Sequence, residues 1–162
     1  MKTTKTRTCC ALLVAVLTIA AASSARAEDL GSLLRESGWD RMMGTWVDAE
    51  TKGENVKVTY AWKIKDRVIE STSKIGPVEA VALAAVNAKT GEVHHAGADS
   101  RGGVSVGKWS VEDGKAVLRL TFVSGEGHEG EVTISHQLQD DDTLIVTVDL
   151  ADSFSLTLIR AK

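Results

Sequence analysis

Two glycine-rich segments of the 162-residue chain have spacings that are known from enzymes, and the first contains a serine. Residues 103–107 read GVSVG, the Gly-x-Ser-x-Gly spacing that exposes a nucleophilic serine on a sharp turn between a strand and a helix. Here the residues after Ser105 continue as a strand toward Trp109, and strands do not alternate with helices in the sequence. We therefore interpret this segment as part of a β-strand and not as a nucleophile site.

The second segment, residues 125–130, reads GEGHEG and has the Gly-x-Gly-x-x-Gly spacing of dinucleotide-binding loops. Such a loop needs a strand before it and a helix after it, because the N-terminus of that helix binds the phosphates. A strand follows here instead, and the carboxylates of Glu126 and Glu129 would repel a pyrophosphate. The sequence therefore predicts a flexible hairpin loop.

Four histidines are the remaining candidates for metal or haem ligation. His94 and His95 are neighbours on a predicted strand, so their side chains face opposite sides and cannot chelate one ion together. His128 lies in the predicted loop, and only His136 falls on an apolar strand face. A lone inward histidine is more often a hydrogen-bonded core residue than a ligand. The acidic run 140–142 lacks the spacing and the glycine of a calcium loop, so the sequence predicts no metal and no cofactor.

A third kind of site would be a cavity with aromatic walls. Tyr60, Trp62 and Trp109 share predicted inward faces with aliphatic residues, where they form either plain core or the wall of a ligand cavity. Glu70 is predicted to face inward from the next strand, where a carboxylate would be a polar anchor. The candidate cavity residues are Tyr60, Trp62, Glu70, Trp109, Phe122 and His136. An enzyme that used Glu70, Tyr60 or His136 for acid–base chemistry is a further alternative, but no constellation of residues favours it.

The elements that must position these residues follow an N-terminal leader. A basic start with Lys2, Lys5 and Arg7 precedes an apolar run over residues 9–22, and an Ala-x-Ala cleavage site ends at Ala27. This three-part pattern predicts a secretory signal peptide that is cut after Ala27. The alternative, an uncleaved membrane anchor, is disfavoured because a spanning helix needs about 20 apolar residues.

Removal of this signal peptide, residues 1–27, would leave residues 28–162 as a single domain in the periplasm or outside the cell. Cys9 and Cys10, the two cysteines of the chain, both lie in the leader, so the mature domain contains none. It then has no disulfide framework and no thiolate metal site. A bacterial periplasm fits this composition better than a disulfide-rich extracellular scaffold does.

Loss of the leader also changes the net charge. Four of the 19 basic residues lie in it and none of the 22 acidic ones, which leaves 15 basic and 22 acidic residues, or a net charge of −7. Such a surface disfavours nucleic acid and anionic lipid headgroups as partners, and it favours solubility. The sequence therefore predicts no nucleic-acid partner and, after cleavage, no membrane.

The one predicted helix comes directly before the first strand. Leucines at three- and four-residue spacing lie on one side of residues 28–43, either Asp29 or Ser32 caps the N-terminus, and Gly38 ends the helix after about two turns. We expect this segment to lie across one end of the sheet. The residues expected to plug that end are Trp39, Met42 and Met43.

From Trp46 onward the apolar residues recur with a period of two, which predicts about nine or ten strands. Turns at intervals of roughly 8–12 residues are typical of an all-β barrel or sandwich, and consecutive hairpins favour an up-and-down order that closes on itself. The clearest hairpin is at Asp113-Gly114, because this pair supplies the positive φ of a primed turn. Residues 78–86 are apolar on both faces, so we expect a strand that is covered on both sides or paired with another subunit; a helix is the alternative.

Gly44 and Trp46 at the first strand and Arg160 in the last strand match the calycin group of proteins in residue type and order. The chain resembles the lipocalin-like members of this group. The resemblance implies a small antiparallel up-and-down barrel of about 8–10 strands with a short N-terminal helix. It also implies that Trp46 packs at the closed barrel end under Arg160, whose guanidinium would stack on the indole.

Over about residues 39–162 the chain is also similar to uncharacterised exported proteins built as one lipocalin-like domain. The shared motifs are a strand that ends in Trp62, an Asp-Ser-x-Gly-Gly segment at 99–103, and a Gly-x-Trp at 107–109 ahead of the Asp-Gly hairpin. This resemblance implies a fold, and it implies no activity.

These observations predict an exported, non-enzymatic protein that binds a small, mostly apolar molecule inside the barrel, with one or two polar groups that fix its orientation. The alternative is a structural or interaction protein with a filled barrel that associates through its Val78–Val86 strand, for example as a homodimer. Inward-facing small residues around a cavity would favour binding. A filled interior with an exposed apolar strand would favour association.

Overall fold

The computed structural model describes residues 29–162, in which ten strands form one closed antiparallel barrel. The strands are β1 Gly44–Asp48, β2 Val56–Ile64, β3 Val68–Ile75, β4 Val78–Val86, β5 Val93–Asp99, β6 Val104–Glu112, β7 Lys115–Val123, β8 Glu129–Leu138, β9 Thr143–Asp149 and β10 Ser153–Arg160. Each pairs with its neighbours in the chain, and β1 pairs with β10. The predicted all-β, up-and-down barrel is confirmed, whereas the signal peptide and its cleavage site lie outside the described residues.

A short helix, α1 (Leu30–Ser37), precedes the barrel. The Asp29 carboxylate accepts a hydrogen bond from the Ser32 backbone N–H at 2.9 Å, and Gly38 ends the helix in the left-handed conformation with a φ of 74°. A 3₁₀ segment, Trp39–Met42, then leads into β1. Of the two N-cap candidates, Asp29 and Ser32, the structure uses Asp29, and the predicted end at Gly38 is confirmed, because Gly adopts positive φ without strain. Within the described residues no helix is long and apolar enough to cross a membrane.

Residues Val78–Val86 form strand β4, so the helix considered for this segment is wrong. β4 lies between β3 and β5 and is hydrogen-bonded to both. Its backbone therefore offers no free edge for pairing with a strand of another subunit. Association through this strand would have to use its outward side chains, of which Val81 and Leu83 are exposed.

The hairpin turns alternate between two ends of the barrel, and we call the end that carries α1 the helical end. The Gly31 N–H donates to the carbonyl of Asp66 in the β2–β3 turn. Arg41 of the 3₁₀ segment pairs with Asp141 of the β8–β9 turn at 2.9 Å. Because the order is up and down, the β4–β5 and β6–β7 turns lie at this end as well.

Two of the turns match motifs in the sequence. Asp113 and Gly114, between β6 and β7, have φ values of 49° and 76°, as a primed hairpin turn requires. The Asp-Ser-x-Gly-Gly segment is the β5–β6 turn, where the Asp99 carboxylate accepts hydrogen bonds from the backbone N–H groups of Arg101 and Gly103 at 2.8 and 2.9 Å. This motif therefore builds a turn and is not a ligand site.

The core lies toward the helical end. Its largest fully buried side chains are Trp46, Leu144 and Leu158, and Leu30, Trp39 and Met42 are buried beside them. Burial of each such side chain contributes about 1.5–3 kcal/mol to stability. Met43, the third residue expected in the plug, packs partly buried against the same cluster. At the other end Ile75 and Phe154 remain 55% and 52% exposed, so the interior there is more open to solvent.

Candidate functional site

Trp46 and Arg160 meet where β1 closes on β10. They are opposite each other in register, and the guanidinium carbon of Arg160 lies 4.3 Å from the centroid of the Trp46 ring. The guanidinium also donates hydrogen bonds to the carbonyls of Arg41, Met43 and Asp141, at 2.7, 3.0 and 2.9 Å. This is the contact that the resemblance implies, and it joins the 3₁₀ segment, β10 and the β8–β9 turn.

Gly44 leaves room for this arginine. Its φ of 123° is one that residues with a side chain rarely adopt, and a Cβ at this position would lie 2.8 Å from Nη1 of Arg160. The indole N–H of Trp46 donates to the carbonyl of Met42 at 2.8 Å. We call Gly44, Trp46 and Arg160 the closure trio. The polar side-chain groups of the trio are hydrogen-bonded to backbone carbonyls, so these residues act in closing the barrel.

A buried polar pair lies beside this closure. Tyr60 on β2 is 8% exposed and His136 on β8 is 4% exposed, and the Tyr60 hydroxyl oxygen lies 3.3 Å from His136 Nε2. Burial raises the pKa of the Tyr60 hydroxyl. Burial also lowers the pKa of His136 to about 4, and the Ala116 backbone opposes this effect only in part. Both side chains are therefore neutral near neutral pH, because a buried site disfavours their charged forms.

Trp109 on β6 packs against this pair. Its ring centroid lies 5.1 Å from that of His136 and 6.4 Å from that of His95 on β5. Trp109 Nε1 and His136 Nδ1 are both buried, and neither has a hydrogen-bond partner among the described residues. A buried polar group without a partner costs about 1–3 kcal/mol.

A cavity lies next to this cluster. Its inward-facing lining includes Tyr60, Ile69, Ser71, Ala84, Val93, His95, Trp109 and Ala116. At the helical end it is bordered by Leu33 and Leu34 of α1, by Gly91 of the β4–β5 turn and by Val111. Outward-facing residues of β5 to β9 border the same depression, so the barrel interior is only a part of it.

The plug at the helical end is therefore incomplete. Trp39 and Met42 are buried as expected, and α1 and the 3₁₀ segment contact the β2–β3 and β8–β9 turns. The cavity lies beside the other two turns of this end, where the β4–β5 turn and Val111, which is 54% exposed, border it. The interior thus reaches solvent beside α1, at the end that the sequence interpretation took to be closed.

The wall formed by β3 and β4 carries small side chains on its inner face. These residues are Ser71, Ser73, Ala80, Ala82 and Ala84. The wall formed by β7, β8 and β9 carries larger ones, namely Leu118, Leu120, Val132, Ile134 and Val146. Small inward side chains leave interior space, which in a filled core would be occupied at crystal-like packing density.

The structure brings three of the six candidate cavity residues together. Tyr60 and Trp109 line the cavity, and the ring of His136 lies next to both of theirs. Trp62 also faces inward, but it packs against the core, and Nζ of Lys65 lies 5.6 Å from its ring centroid. Trp62 is therefore a core residue beside the site.

Phe122 faces inward at the opposite end of the barrel. It pairs with Gly130 across β7 and β8, and a Cβ on Gly130 would lie 2.6 Å from the Phe122 ring. The ring thus covers this glycine and does not border the cavity beside α1. Phe122 shares the inner face with Trp109, as predicted, but it lies four strand positions from Leu118, the residue opposite Trp109.

Glu70 faces outward, so the prediction that it anchors a ligand is wrong. It is opposite the exposed Ala61 in register, and its Oε2 lies 2.9 Å from Nζ of Lys63 on the outer face. The inner face of β3 is carried by Ile69 and Ser71 instead. The sequence could not decide the phase of this strand, because both of its faces carry polar residues.

Two inward polar residues were missed. His95 and Ser105 face the cavity side of β5 and β6, with 3.5 Å between His95 Nε2 and Ser105 Oγ. His136 is therefore not the one inward histidine that the sequence indicated, although His94 and His95 do face opposite sides. The inner face of β5 could not be recognised from the sequence, because the alanine and glycine residues of this strand give no alternation of apolar and polar side chains.

This serine and histidine do not form a nucleophile site. A separation of 3.5 Å is at the limit for a hydrogen bond, and burial lowers the pKa of His95. No carboxylate among the described residues is hydrogen-bonded to the His95 ring to orient it. Ser105 lies within β6, whose backbone is paired with β5 and β7, so it lacks the free N–H groups that stabilise an oxyanion.

The buried acid Asp48 organises a loop. Its carboxylate accepts hydrogen bonds from the hydroxyl and backbone N–H of Thr51 and from the backbone N–H groups of Gly53 and Val56. The Thr51 hydroxyl is the main reason that the pKa of Asp48 falls to about 2. Between residues 29 and 162 no three His, Cys, Asp or Glu side chains form a group that could hold a metal ion.

The chain matches no protein-family model and no curated protein. Its function therefore has to be inferred from the geometry of the site: a cavity beside α1, a wall of small side chains, and a neutral cluster of Tyr60, Trp109 and His136 with two unpaired nitrogens.

Proposed function

We propose that this chain is an exported, non-enzymatic protein with a lipocalin-like barrel that binds one small, mostly apolar molecule in the cavity beside α1. The observation that carries this proposal is the inner face of small side chains on β3 and β4, of which Ser71 and Ala84 line the cavity, together with the larger apolar residues on the inner faces of β7 to β9. Ligand pockets commonly have such a lining, apolar with a few polar groups. Burial of apolar ligand surface would supply most of the binding free energy, about 25 cal/mol per Å².

The pKa values of the buried polar side chains agree with a protein that binds a ligand without catalysing a reaction. General acid–base catalysis works best with a pKa near the working pH. Burial instead lowers the pKa of His136 to about 4 and raises that of Tyr60. Glu70, the third residue considered for acid–base chemistry, is paired with Lys63 outside the barrel.

The calycin-like and exported parts of the proposal have separate support. The stacking of Arg160 on Trp46 is the contact expected at the closed end of a lipocalin-like barrel. Export is proposed from the sequence pattern of residues 1–27, with cleavage after Ala27 and a periplasmic or secreted location.

The test is native mass spectrometry of the protein purified from its own host, followed by titration with the neutral fluorescent probe N-phenyl-1-naphthylamine. We expect a co-purifying small mass and saturable probe binding. Ala84→Leu should weaken probe binding by about tenfold or more, because extra methylenes fill the cavity and a single one is worth about 1–3 kcal/mol in an apolar site.

Ala61→Leu is the matched control, since Ala61 is exposed on the outer face of β2. It adds the same atoms without touching the cavity, so probe affinity should stay within about twofold of the wild type. Absence of any small mass together with absence of probe binding would refute the proposal. Equal weakening by both leucine variants would show that the probe binds elsewhere.

A second candidate function is association of two copies through the outer face of β4. Outward residues of four neighbouring strands, β4 to β7, form an apolar patch that consists of Val81, Leu83, Ala96, Ala98, Val104, Val106 and Val123. Exposed contiguous apolar surface of this kind marks contact sites. A clean dimer that carries no added mass in the same mass spectrum would favour this function over ligand binding.

A further inference from the structure

His95 on β5 is a polar side chain that lines the cavity and is only partly buried. It lies on the inner face of the barrel, opposite Ala84 on β4 and Gly107 on β6. Its ring centroid lies 6.4 Å from that of Trp109, which lines the cavity as well. A molecule in the cavity can therefore contact the imidazole of His95, whereas His136 is enclosed by its neighbours.

Small residues surround this imidazole on the inner face. Ala84 and Gly107 flank it in register, and Gly97 follows it two positions later on the same strand. A Cβ on Gly97 would lie 3.3 Å from Nε2 of His95 and 3.0 Å from Cβ of Ala82. The ring therefore lies over Gly97, and no side chain larger than a methyl group stands beside it on β4. This arrangement leaves space next to the imidazole for a group of the ligand.

The His95 ring makes a weak hydrogen-bond contact with Ser105. Its Nε2 lies 3.5 Å from Ser105 Oγ, which is at the limit for a hydrogen bond. A neutral imidazole carries one N–H and one acceptor nitrogen, and a serine hydroxyl can donate or accept. Either Nε2–H donates to Oγ, or Oγ–H donates to Nε2 and the imidazole proton lies on Nδ1. A ligand group that contacts one of the ring nitrogens therefore meets a donor in one tautomer and an acceptor in the other.

The charge of the surroundings decides which ligand group fits. Burial lowers the pKa of His95, so its imidazole is uncharged at neutral pH. The one cationic side chain on the inner face of the described barrel is Arg160, and its guanidinium is occupied by three carbonyls and the Trp46 ring. A carboxylate would therefore lose its hydration without gaining a counter-charge. A carbonyl oxygen only accepts and fits one tautomer, whereas a hydroxyl donates or accepts and fits both.

We propose that the ligand carries a hydroxyl group, as in a long-chain or cyclic alcohol, and that this hydroxyl is hydrogen-bonded to the imidazole of His95. This inference rests on the proposed function, because it names the polar end of the molecule whose apolar part fills the cavity. The apolar part lies along Ile69, Ala84 and Val93, which line the same cavity.

The experiment is competition for bound N-phenyl-1-naphthylamine by three compounds: decanol, its isomer methyl nonyl ether, and decanoic acid. The protein is purified from its host and stripped of co-purified ligand. Decanol and the ether contain the same atoms, but only decanol can donate a hydrogen bond. A cavity without a polar partner would favour the ether, which has less hydration to lose. Decanol should instead displace the probe at about fivefold lower concentration, the usual net effect of one hydrogen bond.

His95→Phe should remove the preference for decanol while the probe still binds, because a phenyl ring fills the place of the imidazole without its nitrogens. His95→Gln should keep part of the preference, since the amide group offers a donor and an acceptor. His94→Phe is the matched control and should leave the preference unchanged, because His94 faces outward and borders the outer part of the same depression. The ratio of the two affinities is the readout, since a change in cavity volume affects both isomers.

A second measurement uses the unsubstituted protein, so it does not depend on the folding of a variant. Nitrogen chemical shifts of the histidine rings report which imidazole nitrogen carries the proton. Decanol should shift the ring resonances of His95 more than the ether does. The ring resonances of His94 and His128 should stay in place.

Three results would overturn the inference and leave the proposed function standing, provided that the probe binds. Equal or tighter binding of the ether, with unmoved His95 resonances, would refute the hydroxyl anchor. Loss of the decanol preference in His94→Phe in place of His95→Phe would put the alcohol on the outer side of the barrel. Tightest binding of decanoic acid, dependent on His95, would refute the uncharged group. Failure of the probe and of all three compounds to bind would refute the proposed function itself.

Discussion

Burial keeps the His136 side chain uncharged inside the barrel at neutral pH. Its pKa is lowered from 6.5 to about 4, mainly by burial. The unfolded chain therefore binds a proton between these two pH values and the folded chain does not. Because the unfolded state binds more protons in this window, the free energy of unfolding falls as the pH is lowered from 6.5 to 4. The direction is the same for His95, whose pKa burial also lowers.

We predict that this fall amounts to about 3 kcal/mol from His136, since each pKa unit corresponds to about 1.4 kcal/mol. Urea unfolding measured at several pH values above 4.5 checks it, because Asp48, the buried carboxylate, titrates between 3.8 and about 2. His136→Gln should remove most of the slope. The exposed His128→Gln is the control, and an unchanged slope in His136→Gln would contradict the prediction.

At the scale of elements, the seam between β1 and β10 is the weakest part of the barrel. It has three register pairs, whereas β6 and β7 have nine. The closure trio compensates for the short seam: Arg160 stacks on Trp46 and donates to three carbonyls from two other elements. Gly44 permits this, because a Cβ there would lie 2.8 Å from the guanidinium.

We predict that Gly44→Ala lowers the free energy of unfolding more than Gly91→Ala does. Both glycines have positive φ, which costs a residue with a side chain about 1–2 kcal/mol. A Cβ added at Gly91 has no atom within 4 Å, whereas a Cβ added at Gly44 would also displace the Arg160 guanidinium. Urea unfolding gives the difference, and hydrogen exchange should show β1 and β10 losing protection first. Equal effects would mean that the arginine contact contributes nothing.

At the scale of the whole molecule, the apolar patch on β4 to β7 is small. With strands about 4.8 Å apart and two rows of residues, it covers roughly 300 Å². A stable interface buries about 800 Å² on each partner. A patch of this size is common on monomers, and a mature chain with the proposed net charge of −7 repels a second copy elsewhere on its surface. Ligand binding therefore ranks above self-association.

The patch nevertheless gives a test of the second candidate function. If two copies associate there, Leu83→Lys should convert the dimer to monomer in sedimentation velocity measurements, because the lysine would have to be buried without a partner. Thr157→Lys is the matched control on the outer face of β10, since Thr157 is exposed and is separated from the patch by β8 and β9. A monomer at all concentrations before any substitution would exclude this function.

Much of the fold was predictable from local pattern. Strand alternation, the Asp-Gly hairpin and the end of the helix at Gly38 each depend on residues that are close in the chain. The sequence alone therefore determined the all-β class and the end of the helix, but it left the N-cap open between Asp29 and Ser32. The stacking of Arg160 on Trp46 was expected from resemblance and not from pattern. Which face of β3 points inward was not predictable, because both faces carry polar residues, and the sequence therefore did not show that Glu70 points outward.

The candidate site depended on the tertiary structure. Tyr60, Trp109 and His136 come from β2, β6 and β8, and only barrel closure places the Tyr60 and Trp109 rings 6.4 and 5.1 Å from the His136 ring. Which nitrogens stay unpaired, and that the cavity opens beside α1, follow from long-range contacts. The sequence determined that aromatic and small residues face inward; how they share one space depends on strand register around a closed sheet, which no local pattern contains.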